Sequence, residues 1–126
     1  MTDPIKILVV EDDPGCRDVL CEILTRHHYS FHSVDTAREA LQWINQEHFD
    51  LIFTDLTGVN GLEIVRFIKV KSPVTEVVVL SGDRGSEAVS LRSGANRFLA
   101  KPFTVREVLA VTRETVEKVR QRSLPA

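Results

Sequence analysis

The chain has 126 residues, 43% of them hydrophobic and 27% charged, with a formal net charge of −2. That is the size and composition of one globular domain with a sizeable core, too short for two. A slightly acidic balance argues against a broad nucleic-acid-binding surface, and no apolar run approaches the ~20 residues a membrane span requires. Met1-Thr2-Asp3-Pro4 is polar, so no signal peptide is expected. Cys16 and Cys21 would face different sides of a helix, so no disulfide is expected and a reducing cytoplasm is the natural compartment.

In chain order, short continuous apolar runs alternate with helical spacing. Ile7-Leu8-Val9-Val10 predicts a buried first strand running into Glu11-Asp12-Asp13. Cys16, Val19, Leu20, Ile23 and Leu24 recur at helix spacing, with Pro14 acceptable in the first turn and His27-His28-Tyr29-Ser30 closing the helix. Phe31 to Val34 is a second strand. Thr36 and Glu39 have capping-box spacing before a helix whose inner face is Ala37, Ala40, Leu41 and Ile44. Leu51-Ile52-Phe53-Thr54-Asp55 is a third strand, breaking into Leu56-Thr57-Gly58-Val59-Asn60-Gly61. Leu62, Val65 and Ile68 form the inner face of a third helix, which Ser72-Pro73 ends. A fourth strand from Glu76 to Leu80 leads to Ser81-Gly82, a short helix from Ser86 to Leu91, and Gly94 as its cap. Phe98-Leu99-Ala100 runs into Lys101-Pro102. Thr104 and Glu107 then make a second capping box, before Val105, Val108, Leu109, Thr112, Val116 and Val119. The core spans about residues 5–119 of a single domain, with 120–126 a tail or the start of a linker.

This (βα)₅ alternation implies an α/β fold, a doubly wound five-stranded parallel sheet with helices on both faces. Such sheets bind ligands outside the carboxyl ends of their strands. A strand buried on both faces has no reason to end in an acid, so Asp55 must sit at the mouth, facing water, a metal or a cation. Glu11-Asp12, Asp55, Ser81 and Lys101 then share one rim. Clustered carboxylates repel unless a cation joins them, and Mg²⁺ with retained waters suits a half-open oxygen site. A carboxylate is also a nucleophile toward phosphorus, with metal, lysine and hydroxyl available to the phosphoryl oxygens. The set makes a phosphoryl-transfer site.

From Ile5 to Val119 the chain resembles the receiver domain of two-component response regulators, of the chemotaxis-regulator type. The resemblance is carried by Ile-Leu-Val-Val-Glu11-Asp12-Asp13, Asp50-Leu-Ile-Phe-Thr-Asp55, Asn60-Gly61-Leu62, Ser81-Gly82, and Gly94-Ala95 through Phe98 to Lys101-Pro102-Phe103. It implies a flavodoxin-like sheet of order 2-1-3-4-5. It implies that Asp55 accepts phosphoryl from a histidine kinase or phosphotransfer protein. It further implies that Asp12 ligates Mg²⁺ directly, Glu11 through water, and Thr57 through its backbone oxygen. Ser81 matches the switching hydroxyl, Lys101 the phosphate-binding lysine before a cis-proline position at Pro102, and Phe98 the aromatic switch. Asp13 is expected to cap the first helix. The module would signal rather than catalyse, at most phosphorylating and dephosphorylating itself, and a C-terminal output domain in the parent protein would carry the response. Phosphorylation would switch the surface of helix 4, strand 5 and helix 5.

Two segments depart from the family pattern. Asp55 to Gly61 is two residues short, and Ser81 to Lys101 is about two short. The alternative reading is therefore an atypical receiver, a phosphate-independent interaction module. A small α/β enzyme fits less well. Acids stand where a flavin phosphate loop would follow the first strand, Thr57 stands where a haloacid-dehalogenase-type phosphatase has a further Asp, and no GxGxxG or Walker A loop is present. His27, His28, His32 and His48 lack metal-ligand spacing, Trp43 reads as packing, and Arg106, Arg113, Lys118 and Arg120 as the solvated face of the last helix.

Overall fold

The computed structural model describes residues 5–55 and 61–122. Five strands, β1 (Ile7–Val10), β2 (Phe31–Val34), β3 (Leu51–Asp55), β4 (Glu76–Ser81) and β5 (Arg97–Ala100), form one parallel sheet in the order β2-β1-β3-β4-β5. Five helices connect and follow them: α1 (Pro14–Arg26), α2 (Ala37–Gln46), α3 (Gly61–Lys71), α4 (Glu87–Arg92) and α5 (Val105–Arg122). A single 3₁₀ turn, Arg84–Ser86, precedes α4.

The period-two geometry of the central strands divides the core. Ile7, Val9, Leu51, Phe53, Val78 and Leu80 face α1 and α5, where Leu20, Ile23, Leu24, Val108 and Leu109 meet them. Leu8, Val10, Ile52, Val77 and Val79 face α2 and α3, against Ala40, Ile44, Ile64, Val65 and Ile68. Removing each such side chain from water is worth about 1.5–3 kcal/mol, so the two layers dominate the stabilisation.

Local chemistry fixes the helix starts. Asp13 is the N-cap of α1 and accepts a hydrogen bond from Cys16 N at 3.1 Å, with Pro14 in the first turn. Thr36 caps α2 through Glu39 N. At α5 the box is reciprocal: Glu107 N donates to Thr104 Oγ1 at 3.0 Å and Thr104 N to Glu107 Oε1 at 2.8 Å.

Several details differ from the sequence-based expectation, among them Ala37, expected on the inner face of α2 but exposed in its first turn. Val19 is 51% exposed, because it lies about 100° round α1 from Leu20, off the stripe that meets the sheet. Val105 is 50% exposed at the start of α5, ahead of the buried stripe Val108, Leu109, Val111, Thr112 and Thr115. The buried face of α3 is Ile64, Val65 and Ile68, with Leu62 only half-buried, and β4 runs one residue further than predicted, to Ser81. Trp43 packs: it stacks on His32 with ring centroids 4.2 Å apart. Cys16 and Cys21 are free thiols.

Candidate functional site

Strand register builds the site. Val10 pairs with Thr54, so the residues that follow them, Glu11 and Asp55, leave adjacent strands side by side. The Glu11 amide donates to Val34 O at 3.0 Å, extending the ladder toward β2 one residue beyond β1. On the other side Ser81 pairs with Ala100, and the Lys101 amide donates to Ser81 O at 2.8 Å, which sets Lys101 on the same rim. The Lys101–Pro102 peptide bond is cis, as the family pattern implies.

The lysine closes the site. Its Nζ donates to Glu11 Oε1 at 2.6 Å and to Asp55 Oδ2 at 3.0 Å. Glu11 is 1% exposed and Asp55 9%, while Asp12 is exposed at the lip. One carboxylate oxygen from each of Glu11, Asp12 and Asp55 lies within 4.8 Å of the other two. Such a grouping of hard oxygen donors matches what a Mg²⁺ ion takes. The second oxygen of Glu11, Oε2, is buried with no hydrogen-bond partner among the described residues. A buried polar atom without a partner costs about 1–3 kcal/mol, a penalty that a cation would relieve.

Electrostatics records the same crowding. Burial, and a hydrogen bond to Asp55 that requires a proton on one of the two acids, push the Glu11 carboxyl up to about 7 despite Lys101. Burial alone would lower the Lys101 ammonium, but its bonds to Glu11 and Asp55 outweigh that and hold it above its ordinary value. Lys101 therefore stays charged throughout the physiological range.

Each predicted site residue has a definite place, with one exception. Glu11, Asp12, Asp55 and Lys101 come together. Ser81 is buried at the end of β4, its Oγ accepting from Asp83 N at 3.0 Å. Phe98 is half-buried on the edge strand β5, packed against the α2/α3 side of the core. Thr57 lies outside the described residues, as does the shortened stretch 56–60. The shortened segment after Ser81 is accommodated by the 3₁₀ turn and a six-residue α4.

The sequence reading did not find three further features. Arg17 Nη1 donates to the Glu11 carbonyl at 3.3 Å and lies 4.0 Å from Asp35, bracing the acidic loop from α1. Glu11, assigned only a water-mediated role from sequence, is the closest partner of Lys101. Cys16 joins Glu11 and Asp13 in a second close grouping; its thiol, hydrogen-bonded to Asp13 and partly buried, is pushed up to about 11 and stays protonated. Helical spacing from Asp13 could have flagged Cys16, but nothing local marks Arg17.

A doubly wound parallel sheet with acids and a lysine gathered on one rim defines a class of α/β domains whose site lies at the carboxyl ends of the strands. Within that class, the family model of the response regulator receiver domain matches residues 7–113, and the chain belongs to this family. It is 37% identical over 114 residues to the regulatory protein VirG of Rhizobium radiobacter, a match covering 86% of this chain and 42% of VirG. The chain thus spans less than half the length of that relative. The solved receiver domain of NtrX from Brucella abortus superimposes with a TM-score of 0.81 at 31% identity, covering 88% of this chain and 98% of that one. A CheY-like receiver domain protein from Methanospirillum hungatei JF-1 gives a TM-score of 0.86 at 25% identity, over 96% of this chain and 100% of that one.

Proposed function

We propose that this receiver domain takes a phosphoryl group onto Asp55 from the phosphohistidine of a histidine kinase or phosphotransfer protein. The observation that carries this reading is Lys101 bridging Glu11 and Asp55 beside a triad of carboxylates close enough to share one ion. Asp12 and Asp55 would hold Mg²⁺ directly, Glu11 through water and Thr57 through its carbonyl. When bound, the ion supplies positive charge to the crowded acids and to the phosphoryl oxygens. The chain's own groups do the rest. An oxygen of Asp55 attacks phosphorus while the bond to the donor imidazole breaks, and the leaving nitrogen takes back its electron pair. Lys101 shifts from Asp55 toward the incoming phosphoryl oxygen, a charge-assisted contact. Ser81, one residue past the β4 partner of Asp55, would turn to donate to another oxygen. The new charge biases the α4–β5–α5 surface, and a C-terminal output domain of the parent protein reads it. The domain acts in the cytoplasm as a signalling module, not as an enzyme on a separate substrate. No described helix is long and apolar enough to cross a membrane.

The test is intact-mass measurement after incubation with acetyl phosphate and Mg²⁺. A single phosphoryl adduct is expected, absent in Asp55→Ala and absent with chelator; an unchanged mass for the parent chain rejects the reading. The short α4, preceded by one 3₁₀ turn, favours one competing reading, a phosphate-independent interaction module. Under that reading beryllofluoride with Mg²⁺ leaves the amide spectrum unchanged.

A further inference from the structure

The turn after β4 contains a device that the family resemblance does not supply. Ser81 Oγ is held inside that turn. It accepts from Asp83 N at 3.0 Å, and the Ser86 hydroxyl lies 3.3 Å from it. Ser86 is itself anchored: its Oγ donates to Asp83 O at 2.6 Å and its amide donates to the same carbonyl at 3.1 Å. Asp83 Oδ1 accepts from Gly85 N at 2.9 Å, and the buried Ser90 donates its hydroxyl to Ser86 O at 2.6 Å. Ser81, Asp83, Ser86 and Ser90 thus form one connected set joining the end of β4 to the first turn of α4. Turning Ser81 Oγ toward a phosphoryl group on Asp55 rotates it out of this turn, so it cannot keep these contacts and also make that one.

We propose that Ser86 is a positioning residue that latches the Ser81 hydroxyl into the turn, and that breaking the Ser81–Ser86 contact is the step that couples phosphoryl binding to movement of α4. This rests on the phosphoacceptor reading above. The latch stabilises the resting state, so it opposes binding of a phosphoryl group and sets how far the equilibrium lies toward rest. One hydrogen bond between neutral groups is worth about a fivefold change in an equilibrium. The contact adds a direct side-chain link from the site to the start of α4, beside the one that runs through Asp83.

The experiment is a titration of the full chain with beryllofluoride in saturating Mg²⁺, followed by amide chemical shifts of Ser81, Ser86 and Ala100. Ser86→Ala should bind beryllofluoride about fivefold tighter than the parent chain, with Mg²⁺ affinity alone unchanged. Ser86→Thr keeps the hydroxyl and should restore the parent affinity, which a purely structural role for position 86 does not predict. The gain should vanish in the Ser81→Ala background, the signature of a direct pairwise contact. Equal affinity in Ser86→Ala and the parent, or a gain that survives in Ser81→Ala, overturns the latch while leaving the phosphoacceptor reading intact. A parent chain that binds no beryllofluoride removes both.

Discussion

The two ends of the sheet handle buried polar groups in opposite ways. At the amino ends of the strands every buried side-chain polar atom among the described residues has a partner. Thr75, 1% exposed, donates to Phe49 O at 2.7 Å and shares a 2.7 Å contact with Ser72 Oγ. Lys69 Nζ donates to Pro73 O, Thr75 O and Asn96 Oδ1 at 3.0, 2.7 and 3.0 Å, and Asn96 Oδ1 also accepts from Val77 N. At the carboxyl ends Glu11 is as deeply buried as Thr75, yet one of its oxygens lacks a partner among the described residues and its nearest neighbours include another acid. One end is closed and stabilising. The other is left electrostatically incomplete, and incompleteness of that kind is what a ligand removes.

The sharpest way to break this contrast is at Asp55. Asp55→Asn should abolish the phosphoryl adduct seen by mass spectrometry, and yet raise the thermal midpoint by about 3–5 °C, because it relieves the carboxylate crowding. A midpoint that falls would mean the rim is not strained. At the opposite end Thr75→Val should cost about 1–3 kcal/mol in denaturant unfolding, since it orphans Phe49 O, while leaving Mg²⁺ binding untouched. Any loss of metal affinity there would show that the two ends are coupled.

Acidity offers a subtler discriminator. The folded Glu11 carboxyl titrates at about 7 against 4.5 in its ordinary environment, so the folded chain keeps a proton that the unfolded chain releases. That contribution to stability is whole below about 4.5 and is lost as pH rises through about 7. In metal-free buffer, denaturant midpoints should therefore drop from pH 5 to pH 8, and the drop should be smaller in Glu11→Gln. Mg²⁺ requires the ionised acids, so its affinity should climb over the same window. The smallest effect is expected from the exposed Glu22–Arg26 pair: Arg26→Ala should change stability by less than about 0.5 kcal/mol, as a surface ion pair does.

Much of this was readable from residues alone because the relevant signals are local or periodic. Continuous apolar runs marked the central strands, and the capping residues Asp13, Thr36 and Thr104 act where their spacing placed them. Strand-end chemistry placed acids and lysine together because parallel topology brings carboxyl ends to one rim. The partition of labour within the acid pair was not readable. Adjacent residues on an extended chain point to opposite sides, and only the register with β3 decides that Glu11 turns inward and Asp12 outward. The matched network at the amino ends was equally silent, since Lys69 on α3 and Asn96 just before β5 are 27 positions apart and no motif links them. Val19 and Val105 show the limit of periodicity: spacing identifies a stripe, but the width of the packed neighbour decides which of its edges is covered.

The outer strands of the sheet carry one more implication. β2 and β5 are each four residues long, with His32 and Ser33 exposed on one and Arg97 on the other. Short borders with polar or charged side chains offer a poor template for main-chain addition from a neighbouring molecule. Self-association through continuous sheets, the route to fibrous aggregates, is thereby discouraged, and the helical faces are left as the surfaces on which this domain can meet others.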